Sequence, residues 1–299
     1  ALKQLNINSP FYVSQNDGTL MSADIVKNYP VLTFASGPTN SMRGAGFLSK
    51  KTNAIVVDIG GTTTDFGVIK EGFPRESSIP VDIGGVRTNF RMPDLISIGL
   101  GGGSLVLTSD KEISVGPESV GYKLSSESLI FGGKTLTTSD IAVAKGIASF
   151  GDRSKVKHLD VLTIEKSLKK IKEMVEEGID RIKLNKDLVP VVLVGGGSVL
   201  IKGNLKGAKE VLIPDHSDVA NAIGASLAQA GGEIDKIYSY NDIGREKAID
   251  MAKKDAINRA IQAGAIKDTI GIIELEEIPL SYLPSGAVRL HVKAVGDIF

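Results

Sequence analysis

Two aspartates separated by a run of glycines and threonines form the segment of this sequence whose residue types are best suited to ligand binding or catalysis. The segment runs from Ala54 to Glu71 as AIVVDIGGTTTDFGVIKE, with Asp58 ending one apolar run and Asp65 opening the next. Backbone amides and threonine hydroxyls in the intervening turn can donate hydrogen bonds to phosphate oxygens. The predicted phosphate ligands are Gly60, Gly61, Thr62, Thr63 and Thr64.

The two aspartates need a different role, because a carboxylate and a phosphate carry the same sign of charge. We expect Asp58 and Asp65 to hold Mg²⁺ through water, or to orient a water for attack. They are therefore the candidates both for catalysis and for metal binding. An ordinary hairpin whose aspartates cap the turn is the alternative. Glycines and hydroxyls between two apolar strands favour phosphate binding instead.

A second candidate begins where a strongly apolar strand ends in three glycines. Residues 190–200 read PVVLVGGGSVL. Glycines at this point let a flat ring lie against the backbone, and the serine hydroxyl can hydrogen-bond it. The candidate residues for contact with such a ring are Gly195, Gly196, Gly197 and Ser198. Considered alone, the segment is explained equally well as a glycine-rich turn between a strand and a helix.

Other residues that could bind a ligand or a metal are better explained by structural roles. The segment IGLGGGSL at 98–105 and the tripeptide Ser36-Gly37-Pro38 each favour a structural role, the second as a turn. His158, His216 and His291 are far apart in the sequence and lack the spacing of a metal-binding helix. We expect each histidine to be a surface or capping residue.

Composition narrows the classes of function. Lys+Arg 35 and Asp+Glu 35 leave no net charge, so the basic surface expected of a nucleic-acid-binding protein is missing. Cysteine is absent, which excludes disulfides, thiolate nucleophiles and cysteine-ligated zinc. No apolar run is long enough to span a bilayer, and the first residues lack a signal-peptide pattern. We therefore expect a soluble, cytoplasmic protein that binds neither nucleic acid nor membranes.

The elements that must position these residues lie in three regions of the chain, which differ in their sequence patterns. Residues 1–53 contain a predicted helix at 21–28, a strand at 31–34 and a small-residue helix at 40–51. Residues 54–231 alternate apolar strands with glycine-rich turns.

The middle region, residues 54–231, contains two predicted helices that differ in their residue patterns. Apolar residues at three- and four-residue spacing predict an amphipathic helix at 161–183, whereas 218–230 predicts a second small-residue helix. Residues 232–299 predict a strand, a helix and two antiparallel strands, which is a small α+β module.

DIGGTTTD, followed by VGGGS and a small-residue helix, resembles the actin-like ATPase fold of sugar kinases, heat-shock proteins and actin. DIGGTTTD looks like the second phosphate motif of that fold. VGGGS looks like its adenosine motif, so the resemblance implies that Gly195 to Ser198 bind adenosine. Within that superfamily, the chain is most similar to the hydantoinase/oxoprolinase family. The segments that carry this resemblance are ASGPTNSMRGAG (35–46), DIGGTTTDFGVIKEG (58–72), ISIGLGGGSL (96–105), VGPESVG (115–121), TLTTSDIAVAKG (135–146) and IPDHSDVANAIGA (213–225).

The resemblance implies an α/β fold, namely an actin-like ATPase (ribonuclease H-like) lobe with a mixed sheet flanked by helices, plus the small C-terminal α+β module. Residues 1–53 would be a remnant of the first lobe and its connecting helix, residues 54–231 the second lobe, and residues 232–299 the module. ATP and Mg²⁺ are the implied cofactors, a cyclic amide is the implied substrate, and a second subunit of the hydantoinase type is the implied partner. The implied reaction opens hydantoin or 5-oxoproline by phosphorylating the amide oxygen, after which water hydrolyses the ring.

Two departures from the family pattern shape these expectations. Family members begin with a first phosphate motif of the GGTFTD type, and nothing in the 57 residues before Asp58 resembles it. We therefore expect a fragment that lacks one wall of the nucleotide cleft and has little or no activity by itself. Tyr122 to Gly132, YKLSSESLIFG, replaces a stretch of longer members that contains glycine, proline and cysteine, so the substrate itself is not predicted.

Two other kinds of function use the same fold. One is a different ATP-using enzyme, such as a sugar kinase or a ketone carboxylase, which its product would identify. The other is a non-catalytic module in which nucleotide only changes domain closure. The family-specific segments favour the hydrolase, because they extend beyond the phosphate motifs that all these proteins share.

Overall fold

The computed structural model of the chain describes residues 2–77, 82–83, 85–87, 91–109, 112–227, 229–283 and 286–298. The chain forms two compact units. The larger unit is Gly37–Leu227, and the smaller unit combines Ala1–Ser36 with Ala228–Phe299. The division predicted from the sequence, 1–53, 54–231 and 232–299, differs most at its first boundary, because residues 37–53 pack with the larger unit.

The described residues contain the following elements. The strands in chain order are β1 Tyr12–Ser14, β2 Leu20–Ser22, β3 Ala54–Ile59, β4 Thr64–Lys70, β5 Phe73–Pro74, β6 Asp82–Ile83, β7 Val86–Arg87, β8 Leu95–Ile98, β9 Ser104–Ser109, β10 Glu112–Ser119, β11 Val189–Val194, β12 Ala208–Leu212, β13 Ala230–Ser239, β14 Gly271–Pro279 and β15 Ala287–Gly296. The α-helices are α1 Ala23–Asn28, α2 Ser36–Ser49, α3 Leu124–Glu127, α4 Thr138–Lys145, α5 Val161–Ile182, α6 Ala220–Leu227, α7 Tyr240–Ile243 and α8 Arg245–Ala263. Within this part of the chain, no helix is both long and apolar enough to cross a bilayer.

A six-stranded mixed sheet organises the larger unit. Its order is β12-β11-β3-β4-β5, with β8 also paired to β4. β3 and β4 form an antiparallel hairpin, whereas β11 runs parallel to both β3 and β12. Because β3 and β11 are parallel neighbours, their carboxyl ends meet at one edge of the sheet. The two glycine-rich loops predicted to bind ligand therefore lie side by side.

This sheet is buried on both faces, as the continuous apolar runs in β3 and β11 predict. Ile55 and Val57 of β3 share a core with the apolar stripe of α5. Val56, on the opposite face, shares a core with α2. The structure confirms α5, which the apolar spacing predicts at 161–183.

Helices α2 and α6 cross on the second face with almost no space between their backbones. A Cβ atom built on Gly44 of α2 would lie 1.9 Å from the carbonyl oxygen of Ala220 in α6. One built on Gly224 of α6 would lie 1.8 Å from the carbonyl oxygen of Asn40 in α2. The two small-residue helices predicted from the sequence are therefore each other's packing partners.

The smaller unit is a five-stranded sheet of order β1-β2-β13-β15-β14, with α8 packed on one face. Fully buried alanines at four-residue spacing give α8 a smooth contact stripe, which consists of Ala248, Ala252, Ala256 and Ala260. The stripe packs against Leu290, Val292 and Ala294, which alternate along β15. The antiparallel pairing of β14 with β15 agrees with the predicted α+β module, but the sheet also takes in β1 and β2.

The opposite face of β15 carries charged side chains. His291 is fully buried there, and its Nε2 atom lies 2.8 Å from Oε1 of Glu233. The expectation that His291 is a surface residue is wrong, because β15 is an interior strand of the sheet with β13 and β14 on its two sides. The isolated histidine in the sequence carries no signal of this position.

A buried ion pair joins the same face to the N-terminal segment of this unit. Nζ of Lys293 lies 2.9 Å from Oδ2 of Asp17, and Lys293 is only 2% exposed. Burial alone raises the pKa of the Asp17 carboxyl, but the Lys293 ammonium and hydrogen bonds from Thr19 outweigh it and lower that pKa below 3.8. The pair therefore stabilises the folded chain most when the carboxylate is ionised.

We expect Asp17→Asn to lower the free energy of unfolding by about 3 kcal/mol at neutral pH, because it removes the charged carboxylate that lies 2.9 Å from the buried Lys293 ammonium. The folded-state pKa of Asp17 is depressed, so its contribution is complete above the unfolded-state pKa and disappears as the pH falls through the folded-state pKa. Urea unfolding of wild type and variant at several pH values should show that the difference between their free energies of unfolding narrows below about pH 4. A difference of constant size across this range would contradict the stabilising role of the ionised Asp17 carboxylate. Asp24→Asn, which breaks the exposed Asp24–Lys27 pair, is the matched control and should change little.

Two predictions near the start of the chain are wrong. The segment predicted as a strand at 31–34 forms a 3₁₀-helix at Pro30–Thr33, and the predicted turn Ser36-Gly37-Pro38 is the first turn of α2. Proline explains both differences. Its fixed φ suits the first turn of a helix, and it lacks the N–H that a strand ladder needs.

Candidate functional site

The β3–β4 hairpin holds the two aspartates face to face. Asp58 and Asp65 are direct partners in the antiparallel register, one pair before the loop. Side chains at such positions have Cβ atoms about 5 Å apart and point to the same face. The loop closes with a 2.9 Å hydrogen bond from the amide of Gly60 to the carbonyl of Thr63. The structure thus brings together the two carboxylates that the sequence analysis paired.

The amides of the hairpin loop are available to a ligand. Within the described part of the chain, the backbone N–H groups of Gly61, Thr62 and Thr63 donate to no protein acceptor. All three residues are exposed. Successive amides left open in a turn form a concave site that attracts anions. The open amides are available for the predicted phosphate binding, which stays a prediction.

Thr64 has a different position from its neighbours. It is fully buried, and its hydroxyl donates a 2.7 Å hydrogen bond to the carbonyl of Leu100. This geometry does not support the predicted phosphate contact from Thr64, because its hydroxyl proton is already committed and the residue does not reach solvent. Thr64 instead fixes the hairpin to the segment that follows β8.

That segment supports the back of the loop with backbone hydrogen bonds. The amide of Gly102 donates to the carbonyl of Gly60 at 2.9 Å, and the amide of Gly103 donates to that of Gly61 at 2.7 Å. A Cβ atom on Gly101 would lie 2.5 Å from the amide nitrogen of Thr62, so only glycine permits this approach. The structural role expected for 98–105 is therefore to hold the predicted phosphate loop in shape.

The second predicted loop lies directly beside Asp58. Val194, the last residue of β11, is the register partner of Asp58 in the parallel ladder. Gly195 follows with φ of +83°, and a Cβ atom there would lie 2.3 Å from Oδ1 of Asp58. A Cβ atom on Gly197 would lie 2.5 Å from the side chain of Ile59. Glycine is required because the two loops touch.

A cavity of about 230 Å³ opens where these loops meet. Its glycine lining comes from three loops and consists of Gly60, Gly61, Gly102, Gly196 and Gly197. Ser139, at the start of α4, contributes the polar side chain of the lining. Ser198 is 4% exposed and is not part of the cavity lining, so its predicted contact with adenosine stays a prediction.

Asp65 differs electrostatically from an ordinary surface aspartate. Burial raises its pKa, a hydrogen bond donated by the Ser97 hydroxyl to Oδ1 lowers it, and the nearby charge of Asp58 raises it again, with a net upward shift. A carboxylate with a raised pKa is a better proton acceptor than a free aspartate. Ser97, on β8, is the partner that orients this carboxylate.

The residues present fit a polyphosphate together with a hydrated divalent cation. Three open amides suit phosphate oxygens, and two facing carboxylates suit a cation that keeps its water shell. The amides and the carboxylates can bind their ligands at the same time, since the amides lie in the loop and the carboxylates lie at its base.

The sequence analysis missed several residues of this site. Ser139 and Gly102 line the cavity, and Leu124 and Phe150 complete it from segments with no recognised motif. The glycine run at 101–103 was a signal that pointed to Gly102. Leu124 and Phe150 gave no signal, because an isolated apolar residue in a loop carries no information about its neighbours.

Comparison with known proteins adds independent findings. Residues 1–149 match the model of the family described as hydantoinase/oxoprolinase. The acetophenone carboxylase gamma subunit of Aromatoleum aromaticum is 30% identical over 150 residues, which cover 48% of this chain and 20% of that protein. The chain thus spans about a fifth of the length of this curated relative.

Two solved structures resemble the chain over nearly its whole length. An ATP-dependent acetone carboxylase in nucleotide-free form has a TM-score of 0.67 at 17% identity, covering 99% of this chain and 54% of its own. An ATP-dependent caprolactamase from Pseudomonas jessenii has a TM-score of 0.69 at 17% identity, covering 98% of this chain and 54% of its own. At this identity the likeness shows the fold, and it confirms the predicted α/β actin-like ATPase class.

Proposed function

Because residues 1–149 belong to the hydantoinase/oxoprolinase family, we propose that the chain forms one wall of the ATP site in an enzyme that opens cyclic amides. The substrate class is the hydantoin or 5-oxoproline type. The observation that carries the proposal is the set of open amides of Gly61, Thr62 and Thr63 above the facing carboxylates of Asp58 and Asp65. An ordinary structural hairpin has no need of this combination.

Each part of the site has its own proposed task. The loop amides and the hydroxyls of Thr62 and Thr63 bind phosphate oxygens, and the loop of Gly195 to Ser198 receives adenosine. Asp58 and Asp65 hold Mg²⁺ through its water shell, and Asp65 also accepts a proton from water. Bound ATP would supply the phosphoryl group that activates the amide oxygen of the substrate. The Ser97 hydroxyl orients the Asp65 carboxylate by donating a hydrogen bond to Oδ1.

A ketone carboxylase is the second candidate, and one specific observation favours it. The curated relative with 30% identity is a subunit of acetophenone carboxylase. The same open amides and paired carboxylates would serve phosphoryl transfer from ATP in such an enzyme, so the site geometry does not distinguish the two. By the same analogy, we propose that the chain works with a second subunit.

Product identity separates the candidates. The complete enzyme that contains this chain, together with its second subunit, is supplied with Mg-ATP and one of three substrates: a hydantoin, 5-oxoproline, or a ketone with bicarbonate. Release of ADP or AMP coupled to a ring-opened amino acid supports the cyclic-amide hydrolase. Carboxylation of the ketone would instead identify the enzyme as a ketone carboxylase. A stable phosphate ester would indicate a kinase and contradict both.

We expect Thr62→Val and Thr63→Val each to weaken the binding of Mg-ATP by about tenfold or more, because each removes one hydrogen bond to a charged phosphate. Isothermal titration of the whole chain with Mg-ATP measures this directly. Thr108→Val, on the exposed part of β9, is the matched control and should bind as wild type does. Wild-type affinity in both loop variants would remove the phosphate role of the hydroxyls.

A further inference from the structure

The charged face of the five-stranded sheet brings one histidine and three glutamates together. His291 on β15 is fully buried, and its Nε2 atom lies 2.8 Å from Oε1 of Glu233 on β13. On the other side of the ring, Nδ1 lies 3.8 Å from Oε1 of Glu274 and 4.0 Å from Oε2 of Glu276, both on β14. All four residues belong to the smaller unit, whereas the residues of the proposed ATP site belong to the larger one.

Strand register produces this arrangement. His291 is the direct antiparallel partner of Glu276, and Glu274 is the next residue of β14 on the same face. Because β15 lies between β13 and β14, the imidazole has a glutamate from one neighbouring strand on one side and two from the other strand on the other side. Main-chain ladders of three strands therefore fix these positions, and side chains on strands are held more precisely than side chains on loops.

The surroundings of the ring match those of a metal-binding imidazole. A histidine that binds a metal through one ring nitrogen usually donates the N–H of the other to a carboxylate, and Glu233 provides that carboxylate at Nε2. The 3.8 Å and 4.0 Å distances from Nδ1 to the two glutamates of β14 are too long for hydrogen bonds. They suit two ligands of one ion, because metal–ligand bonds of about 2.1 Å let two ligand atoms lie up to about 4.2 Å apart. All three ligand atoms lie within 4.8 Å of one another, so a shift of a few tenths of an ångström would bring them onto one ion.

The charges on this face favour a cation at the same point. The two basic residues that alternate with His291 along β15 pair with other acids, Lys293 with Asp17 at 2.9 Å and Arg289 with Asp235 at 2.6 Å. The three glutamates around the imidazole carry the same charge and repel one another. A divalent cation shared by two of them would offset that repulsion.

We infer that His291, Glu274 and Glu276 form a binding site for a divalent transition-metal ion, and that Glu233 orients the imidazole. One nitrogen and two carboxylate oxygens are donors that suit Zn²⁺, whereas Mg²⁺ and Ca²⁺ prefer oxygen alone. The side chains of Glu274 and Glu276 are 33% and 42% exposed, so an ion can reach them from solvent and keep a water as its fourth ligand. The bound ion links β14 to β15 and stabilises the smaller unit. This site is independent of the proposed ATP site.

The test uses Zn²⁺ itself as the probe. The whole chain is stripped of metal with a chelator and titrated with Zn²⁺, and bound zinc is measured by mass spectrometry after dialysis. We expect a single tight site in wild type and also in Asp58→Asn/Asp65→Asn, which lacks the carboxylates of the proposed Mg²⁺ site. Glu274→Gln/Glu276→Gln should weaken Zn²⁺ binding by roughly a hundredfold or more, and Glu233→Gln by roughly ten- to a hundredfold. Zn²⁺ should also raise the unfolding temperature of wild type but not that of Glu274→Gln/Glu276→Gln.

The glutamates are replaced rather than His291, because they are partly exposed and glutamine keeps their size, whereas a change at the buried histidine threatens the fold. Circular dichroism of the metal-free variants checks that each is folded. Glu246→Gln is the matched control and should bind Zn²⁺ as wild type does, since it is an exposed residue of α8, which packs on the opposite face of the sheet.

Three results would overturn the inference. The first is wild-type Zn²⁺ affinity in Glu274→Gln/Glu276→Gln. The second is a wild-type chain that retains no zinc and unfolds at the same temperature with and without it. The third is loss of the bound zinc in Asp58→Asn/Asp65→Asn, which would place the ion at the β3–β4 hairpin instead. Because none of these measurements involves ATP, their outcome is separate from that of the proposed function.

Discussion

Asp65→Ala should abolish nearly all turnover of the enzyme while leaving the fold intact. Asp65 is half-buried, and burial together with the neighbouring charge of Asp58 raises its pKa. Loss of a positioned proton acceptor typically slows a reaction by about 10²- to 10⁴-fold. Loss of a carboxylate that helps hold Mg²⁺ would add to this. ATP consumption by the complete enzyme, measured at saturating substrate, gives the turnover directly.

Asp65→Asn sharpens this experiment, because it keeps the shape of the side chain and a hydrogen-bond acceptor for Ser97. If the charge and basicity of Asp65 are what matter, Asn should be nearly as inactive as Ala. Asp187→Asn, which removes an exposed carboxylate near the start of β11, is the matched control and should keep full activity. Unchanged substrate-dependent ATP consumption in Asp65→Ala would remove Asp65 from the mechanism. Circular dichroism of all three variants shows whether the fold has been kept.

Gly44→Ala and Gly224→Ala should each destabilise the larger unit by about 3 kcal/mol or more. In both cases the new methyl group would lie under 2 Å from a backbone carbonyl oxygen of the facing helix. A backbone atom cannot rotate away as a side chain can, so α2 and α6 would have to separate. Both helices cover the face of the sheet that carries Val56 and Val192, so separation would expose a buried core. Urea unfolding of the variants measures the loss.

Gly37→Ala is the matched control within the same helix. The nearest atom to its added Cβ would be Nδ2 of Asn221, at 4.0 Å, which is ordinary contact. Because alanine has the higher helix propensity, this variant should be neutral or more stable by up to about 1 kcal/mol. Wild-type stability in Gly44→Ala and Gly224→Ala would show that the helices cross at a greater distance than the structure gives.

Much of the fold follows from local patterns in the sequence. The apolar spacing of α5 predicts its helix, because burying one stripe requires a period near 3.6 residues. The apolar runs of β3 and β11 predict buried strands, but they do not predict which strands pair. Residues 31–34 show the limit of such patterns. Their apolar side chains favour a strand, yet Pro30, with its fixed φ and missing N–H, starts a 3₁₀-helix instead.

The candidate site could be predicted only in part, because only some of its residues are neighbours in the chain. The chemistry of Asp58, Asp65 and the intervening loop is contiguous in the chain, so the hairpin alone brings those groups together. Thr64 could not be separated from Thr62 and Thr63 by its residue type. Its different role arises from Leu100, a residue far along the chain whose carbonyl happens to lie within hydrogen-bond distance.

The sequence by itself determined the family resemblance, the fold class and the chemistry of the two glycine-rich loops, because these depend on residues that are neighbours in the chain. Tertiary structure alone decided that Gly195 lies against Asp58, that Gly101 to Gly103 brace the phosphate loop, and that Leu124 and Phe150 close the cavity. Those contacts join residues far apart in sequence. They exist because parallel pairing of β3 with β11 and the docking of α4 bring separate loops to one edge of the sheet, and no local pattern specifies that meeting.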